Sequence, residues 1–240
     1  KLGLLIAMLI SFSPVMVGLS NQIWSPNIAP IIASLIFFIL IRIYHSSFID
    51  KKYLLISLGL LLGLLLEAEI VFGIYFIIGV LLSLIIFYKR KLLTIKTLPV
   101  LLGFFFTLSP RIIFEFKNHF IMTRTLFLNE GTVREATFSI PTIETISNRL
   151  NMFYNQFAEI FFHGNKVLAV LLISFVLFIL VKYVALFSPV EKRLIKLSII
   201  IVSVLFVGLS IFSHATFDHY IVGLPVVYIF FVGVILYKSL

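Results

Sequence analysis

The sequence contains no cysteine and few charged residues, and both absences narrow what the chain can be. Without cysteine there is no disulfide, no thiolate metal site and no thiol nucleophile. Charged residues make up 12% of the chain, against about 25% in ordinary soluble domains. The GxGxxG, Walker A, HExxH and GxSxG motifs of soluble nucleotide-binding and hydrolytic enzymes are also missing. The sequence is therefore not that of a typical soluble enzyme.

Apolar residues in long runs take up most of the chain instead. Of the 240 residues 61% are hydrophobic, and the mean hydropathy is +1.19. A membrane-spanning helix needs about 20 apolar residues, within a range of roughly 17–25. We therefore predict an all-α polytopic membrane protein, with about eight transmembrane helices in a single domain over residues 1–240. The candidate runs are residues 2–19, 28–43, 53–66, 70–88, 98–110, 167–187, 197–212 and 220–237.

Two of these runs are joined by a short acidic connector. Residues 53–88 are too many for one span, and the only charged residues among them are Glu67 and Glu69. We therefore predict that the chain reverses at residues 67–69. Two readings stay open: a carboxylate within the membrane is costly and usually functional, whereas one lifted to the headgroups is an ordinary turn residue. Because side chains two apart on a helix diverge, we expect only one of the two to face a cavity.

The distribution of Lys and Arg predicts the orientation of the spans. If the chain alternates from Lys1, 13 of the 19 basic residues fall in the connectors on the side of Lys1, and 8 of the 10 acidic residues fall on the other side. Basic connectors lie in the cytoplasm, so we predict a multi-pass protein of the cell membrane with Lys1 inside. Topology thus explains the net charge of +9, and we expect no nucleic-acid partner.

Local signals mark two helix starts and one surface helix. Ser188 to Glu191 read as a capping box with proline at the first helical position, and Ser25-Pro26-Asn27 starts the second span similarly. The longest non-spanning segment, residues 111–166, is predicted outside. Its first half reads as a mobile loop. A stripe of apolar residues three or four apart predicts an amphipathic helix at about 142–162, lying on the membrane surface.

Polar residues gather in the outer connectors, where any chemistry is expected. Arg and Lys clamp phosphate oxygens, so Arg111, Lys117, His119 and Arg124 are candidate phosphate ligands; the alternative is a basic collar that touches lipid headgroups. His214 and His219 flank Asp218, but their spacing indicates a capped helix end rather than a metal site, so we predict no metal ligands. A divalent cation has no support from spacing. The candidate substrate-binding residues are Asn21, Gln22, Trp24, Glu67, Glu69, His219 and Tyr220.

Four segments together resemble a family. SNQIWSPNIAP, from Ser20 to Pro30, resembles the outer-loop signature SRxxWxPN of bacterial glycosyltransferases related to dolichyl-phosphate-mannose–protein mannosyltransferases, with Asn21 in place of the arginine. LGLLLGLLLEAEIVFGIYF resembles a family span that ends in a Gln-x-His-like pair, here Glu67 and Glu69. PRIIFEFKNHFIMTR resembles a third motif, and DHYIVGLPVVY resembles the family's polar-His-Tyr ending before the last span. The family belongs to the GT-C superfamily, which includes the aminoarabinose transferase of lipid A.

The resemblance implies a glycosyltransferase that moves a sugar from a polyprenyl-phosphate carrier to a glycan, lipid or protein acceptor on the extracytoplasmic face. Its partners would be the lipid bilayer, the lipid-linked sugar and the acceptor. The family's catalytic acidic residue lies in an outer loop after the first span. No such loop precedes Leu2, so the resemblance implies that this chain is the C-terminal part of a larger enzyme. A polysaccharide polymerase or ligase, or a multi-pass transporter, stays open as an alternative.

Overall fold

The computed structural model of the chain describes residues 2–21, 25–45, 52–88, 98–121, 123–124, 140–211 and 218–238. These residues form helices joined by turns and contain no strand, so the all-α prediction is confirmed for the described part. Three 3₁₀ turns, Ser25–Ile28, Val184–Leu186 and Asp218–Ile221, join or precede helices. The helices are α1 Leu2–Phe12, α2 Pro14–Ser20, α3 Ala29–His45, α4 Lys52–Ala68, α5 Ile70–Tyr88, α6 Leu98–Lys117, α7 Ile143–Phe162, α8 Lys166–Tyr183, α9 Pro189–Ile211 and α10 Leu224–Leu236.

Several of these helices can cross a membrane. Within the described residues six are long and apolar enough by themselves: Pro26–His45, Ile70–Tyr88, Leu98–Lys117, Lys166–Leu186, Pro189–Ile211 and His219–Leu236. A seventh span is formed if α1 and α2 are counted as one. Helix α4 has 17 residues, at the lower end of the length a span needs. The chain is therefore a multi-pass membrane protein, while the count of eight stays a prediction.

The first predicted span is broken. α1 and α2 meet at Ser13 with a bend of 70°, where the run of residues 2–19 predicts one continuous helix. Pro14 has no backbone N–H and disfavours helical geometry in the residue before it. Ser13 accordingly has an extended backbone, with φ −71° and ψ 119°, and α2 starts afresh at Pro14.

A second proline leaves its helix intact. α6 continues through Pro110 to Lys117, so the first seven residues of the segment predicted as outer loop are helical. Pro110 cannot donate to the carbonyl of Phe106 four residues earlier. The hydroxyl of Ser109 donates to that same carbonyl at 2.7 Å, which supplies the missing hydrogen bond.

α4 and α6 approach each other most closely through small residues. Gly59 and Gly63 on α4 face the backbone of α6, where Gly103 in turn faces the backbone of α4 at Ile56. A Cβ at Gly63 would lie 2.8 Å from the Cβ of Thr107. This spacing of small residues four apart is the one that lets membrane helices come together closely. The Thr107 hydroxyl adds an interhelical hydrogen bond to the Leu60 carbonyl at 3.3 Å.

One end of the bundle is held together by tyrosines and Arg193. The hydroxyl of Tyr88, the last residue of α5, donates to the carbonyl of Ile43 near the end of α3 at 3.4 Å. Arg193, in the first turns of α9, donates to the Tyr88 hydroxyl at 3.4 Å and lies over the rings of Tyr44 and Tyr88. We call this end, which carries the connectors predicted to be cytoplasmic, the inner end.

The predicted capping box is present at the inner end. The backbone N–H of Glu191 donates to the Ser188 hydroxyl at 3.3 Å, and the N–H of Ser188 donates to the Glu191 carboxylate at 2.6 Å. The same carboxylate binds the Lys238 ammonium at 3.1 Å. Because Lys238 follows α10, this pair also fixes the end of α10 to the start of α9.

Helix α7 lies at the opposite, outer end, where the apolar periodicity predicts a helix at about 142–162. Thr142 caps it by accepting from the Thr145 N–H at 3.1 Å. Only part of its apolar stripe is free to meet lipid. Ile143 is 89% exposed, but Phe153 packs edge-to-face on Phe206 of α9. The structure therefore docks the second half of α7 on the bundle, where the sequence predicted a helix lying on the membrane.

We predict that Gly59→Ala destabilises the bundle by about 1–3 kcal/mol, the usual cost of overpacking. The added methyl would meet the carbonyl oxygen of Val100, a backbone atom that cannot move aside as a side chain can. The measurement is the free energy of unfolding in mixed detergent micelles. Gly18→Ala is the matched control, because a Cβ there has no neighbour within 4 Å. Equal stability of the two variants would contradict the contact.

Candidate functional site

The reversal between α4 and α5 places a buried carboxylate at the outer end. Glu69 is the single residue between the two helices, and it is 8% exposed. Its carboxylate accepts from the Val71 N–H at 3.3 Å, which serves one of the unpaired donors of the first turn of α5. The positive end of the α5 dipole also favours a negative group there.

Two residues from the far end of the chain meet Glu69. His219 and Tyr220, in the 3₁₀ turn before α10, both interact electrostatically with its carboxylate. The two rings lie edge-to-face with centroids 4.6 Å apart. Burial raises the pKa of Glu69, and the Val71 hydrogen bond and the nearby His219 oppose that rise. An acid, an imidazole and a phenol thus form a cluster, which we call the Glu69 cluster.

The other glutamate of the connector points to a different helix. Both Glu67 carboxylate oxygens bind the Arg111 guanidinium, at 2.7 Å to Nε and 2.8 Å to Nη2. The pair is bidentate and only partly exposed, with 25% and 33% of the two side chains accessible. Glu67 and Glu69 therefore do diverge, and Arg111 is engaged by protein rather than facing open solvent alone.

The basic segment that follows α6, residues 118–121 and 123–124, is held in a turn by hydrogen bonds to a third acidic residue, Glu115. Glu115 is 7% exposed, and its carboxylate accepts from the Thr123 N–H at 3.0 Å. Its carbonyl accepts from the Phe120 N–H at 2.7 Å. In the turn closed by these two hydrogen bonds, His119 and Phe120 have left-handed backbone angles, with φ of 53° and 60°. Non-glycine residues adopt such angles only when surrounding contacts hold them.

The remaining phosphate candidates lie at the surface of this turn. Lys117 is in the last turn of α6, and Lys117, His119 and Arg124 are all exposed. Their side chains are on the same end of the bundle as the Glu67–Arg111 pair. The structure therefore brings three of the four predicted phosphate ligands to one exposed turn and holds the fourth, Arg111, in an ion pair.

The first outer connector is described at its start, up to Asn21, and again from Ser25 onwards. Asn21 is exposed and ends α2, with its backbone N–H bonded to the Gly18 carbonyl at 3.3 Å. Gln22 and Trp24 lie outside the described residues, as do His214, the Asp218 side chain and residues 125–139 of the mobile loop predicted over 123–141. Among the described residues, no group of three His, Asp or Glu side chains can hold a metal ion.

One feature at the outer end was missed by sequence reasoning. The polar face of α7 borders a groove of about 420 Å³ together with the turn that carries His219. The periodicity places Asn148, Asn151 and Asn155 opposite the apolar stripe, but it does not indicate that this face is concave. The signal that could have found it is the run of amides where surface helices normally carry Lys and Glu. The groove is lined by Asn148, Asn151, Met152, Asn155, Gln156, Glu159 and Ile221.

Comparisons with known proteins add no relative to this description. The chain matches no family model, no curated protein and no solved structure. Its membrane character therefore rests on the helices themselves, and the likeness to GT-C glycosyltransferases rests on the four sequence segments alone.

We predict that Glu69→Gln makes the protein more stable near pH 8 and not near pH 4. Burial raises the folded-state pKa of Glu69 above the ordinary 4.5, so the folded state binds the proton more tightly than the unfolded state. Stability is then lost as pH rises from about 4.5 through the raised value, and glutamine escapes this loss. The measurement is the thermal unfolding midpoint of the detergent-solubilised protein across this range.

The control for that measurement is Glu67→Gln. This change removes an ion pair with Arg111 that is partly exposed, so it should lower stability slightly, by about 0–1 kcal/mol, and should not produce a gain at high pH. A Glu69→Gln variant that is less stable than the parent protein at every pH would contradict the burial of a charged group.

Proposed function

We propose that the chain is part of a membrane glycosyltransferase that moves a sugar from a polyprenyl-phosphate carrier to an acceptor on the extracytoplasmic face. The observation that carries the proposal is the Glu69 cluster. A buried carboxylate from the connector between α4 and α5 and an imidazole and a phenol from the turn before α10 meet at one end of a membrane bundle, the same end that carries an exposed basic turn. Sugar hydroxyls need mixed donors and acceptors of this kind, and a lipid phosphate needs cations beside them.

The basic turn is the proposed phosphate site. Lys117, His119 and Arg124 are exposed at the outer end of the bundle, at the end of the predicted span α6 or just after it, where a membrane-anchored carrier would present its phosphate. Arg111 would contribute only by leaving Glu67, because the pair already uses both carboxylate oxygens. We therefore assign Arg111 primarily to holding the ends of α4 and α6 together, and we assign Lys117, His119 and Arg124 to the carrier because they are exposed.

The Glu69 cluster is the proposed sugar site. Because burial raises its pKa, Glu69 can serve a hydroxyl either as acceptor or, when protonated, as donor. His219 can donate to a second hydroxyl, and Tyr220 can flank the ring. Asn21, Gln22 and Trp24 would line the mouth of this site from the first outer connector, as the resemblance implies.

In the proposed reaction an acceptor hydroxyl oxygen attacks the anomeric carbon and the bond from that carbon to the phosphate oxygen breaks. Polyprenyl phosphate leaves with the bonding electron pair, and the cations stabilise its negative charge. The hydroxyl proton passes to a carboxylate that acts as general base, a role that we do not assign to Glu67 or Glu69. Attack opposite the leaving group inverts the configuration of the sugar.

The first test asks on which side of the membrane the basic turn lies. The chain has no cysteine, so single cysteines report position without background. We expect a cysteine at His119 to react with an impermeant maleimide from the extracytoplasmic side, and one at Lys192, which is exposed at the inner end, to react only from the cytoplasm. The basis is the excess of basic residues in the inner connectors. Reaction of His119→Cys from the cytoplasm alone would overturn the proposal.

Activity is the second test. The full-length protein in proteoliposomes should release polyprenyl phosphate from a labelled polyprenyl-phosphate sugar when acceptor is present. We expect Lys117→Ala and Arg124→Ala to lower this rate at least about tenfold, since each removes a charge that stabilises the leaving group. Lys192→Ala is the matched control and should keep the parent rate. Failure of the parent protein to turn over any such donor would count against the proposed function.

A transporter is the second candidate, because the bent α1–α2 pair is the kind of broken helix that transporters use. Against it, the three buried carboxylates of the described residues, Glu69, Glu115 and Glu191, all lie at helix ends rather than at mid-bilayer. Movement of an intact labelled lipid-linked sugar across the bilayer, without release of polyprenyl phosphate, would favour this candidate.

A further inference from the structure

The polar face of α7 forms one wall of the groove at the outer end. Asn148, Asn151, Asn155 and Glu159 recur at three- and four-residue steps, so they form a single stripe, and Gln156 lies beside it. The three asparagines are exposed, and Gln156 is half-buried. Within the described part of the chain no hydrogen bond engages these four amide side chains. Their donors and acceptors are therefore open to a ligand.

The choice of asparagine is costly for the helix. Asparagine is among the poorer helix formers, because its amide competes for backbone hydrogen bonds. Three of them within the 20 residues of α7 oppose the local preference, and no cap or turn there uses them. Departures of this kind from local preference are found at functional sites.

The composition of the groove selects the chemistry of its ligand. No cation is among the described residues that line it, and Glu159 is its one charged group, so an anionic ligand such as phosphate is disfavoured. Amides both donate and accept, which matches the paired hydroxyls of a sugar. Met152, which is half-buried, supplies an apolar contact for a C–H face of a pyranose ring, and Ile221 closes the groove from behind, fully buried. The volume of about 420 Å³ is in the range of small-molecule sites.

The groove is continuous with the Glu69 cluster. Ile221 lines the groove and follows His219 and Tyr220 in the same 3₁₀ turn, Asp218–Ile221. The Val222 N–H bonds back to the His219 carbonyl at 3.2 Å, which keeps this turn compact. A ligand in the groove is thus separated from the Glu69 cluster by one short turn.

We infer that the amide-lined groove between α7 and the turn before α10 binds the neutral sugar of a glycan acceptor, and so presents its hydroxyl towards the Glu69 cluster. That the bound sugar is a glycan acceptor rests on the proposed function. That the groove binds a neutral saccharide rests on the groove alone. An extended peptide, whose backbone amides could also pair with asparagine, is the competing ligand. The groove favours the saccharide because the row of amides can pair with several hydroxyls along the edge of one ring, while Met152 contacts its C–H face.

The binding test uses the full-length protein in detergent and saturation-transfer NMR with free maltotriose and mannotriose. The double variant Asn151→Ala/Asn155→Ala should bind either trisaccharide about tenfold more weakly, the expected loss for two or so hydrogen bonds. Alanine raises helix propensity, so this variant should fold at least as well, as circular dichroism will show. Ser147→Ala, on the exposed surface of α7 outside the groove, is the matched control and should bind as the parent does.

The outcomes separate this inference from the proposed function. If donor turnover occurs and the double variant raises only the KM for a glycan acceptor, both stand. If turnover occurs but neither trisaccharide binding nor acceptor KM responds to the double variant, the inference falls and the function survives. If no donor is turned over but trisaccharide binding still depends on the amides, the groove binds saccharide and the transferase proposal fails. Amide-dependent binding of an acetylated Gly-Ser-Gly peptide in place of both trisaccharides would overturn the inference.

Discussion

The arrangement of the outer end depends on how closely α4 and α6 approach. Two helices can bring their backbones together only where neither has a Cβ in the way, and Gly59 and Gly103 meet that condition on opposite sides of the contact. Because α4 and α6 lie at this fixed distance, Glu67 near the end of α4 lies opposite Arg111 of α6, and the two side chains form a bidentate pair. The ion pair is weak by itself because it is partly exposed. The backbone contact beneath it sets the distance between the two helices, and the ion pair then links their ends.

With α4 fixed, a single non-helical residue determines the rest of the site. The chain reverses at Glu69 between α4 and α5, so two glutamates that are two residues apart serve different partners. One neutralises Arg111, and the other is buried against His219 and Tyr220. Burial of an acid without a full counter-charge lowers stability above its ordinary pKa, a penalty that functional sites commonly carry and stable cores avoid. α7 then closes the same end by packing Phe153 and Phe157 on α9 and α10.

Local patterns predicted the features that depend on local forces. The reversal at residues 67–69 follows from length and charge, the capping box at Ser188 and Glu191 from residue identity, and α7 from its 3.6-residue period. Features that depend on distant contacts were not predicted. Glu67 and Arg111 are far apart in the chain, and no short pattern links them, although the glycine spacing on α4 was a usable signal for a close helix contact. Pro14 and Pro110 show why one residue type predicts little alone: the first breaks a helix, and the second is tolerated because Ser109 donates to the carbonyl that proline leaves unpaired.

The sharing of Glu191 has a mechanical consequence. One carboxylate both caps α9 and binds Lys238 after α10, and Arg193 in the same turn connects α9 to Tyr88 and Tyr44. Four helices, α3, α5, α9 and α10, are thereby linked at the inner end by a few neighbouring side chains. Any widening of the bundle would pivot about these contacts, and the largest displacement would come at the outer end, where Glu69 lies.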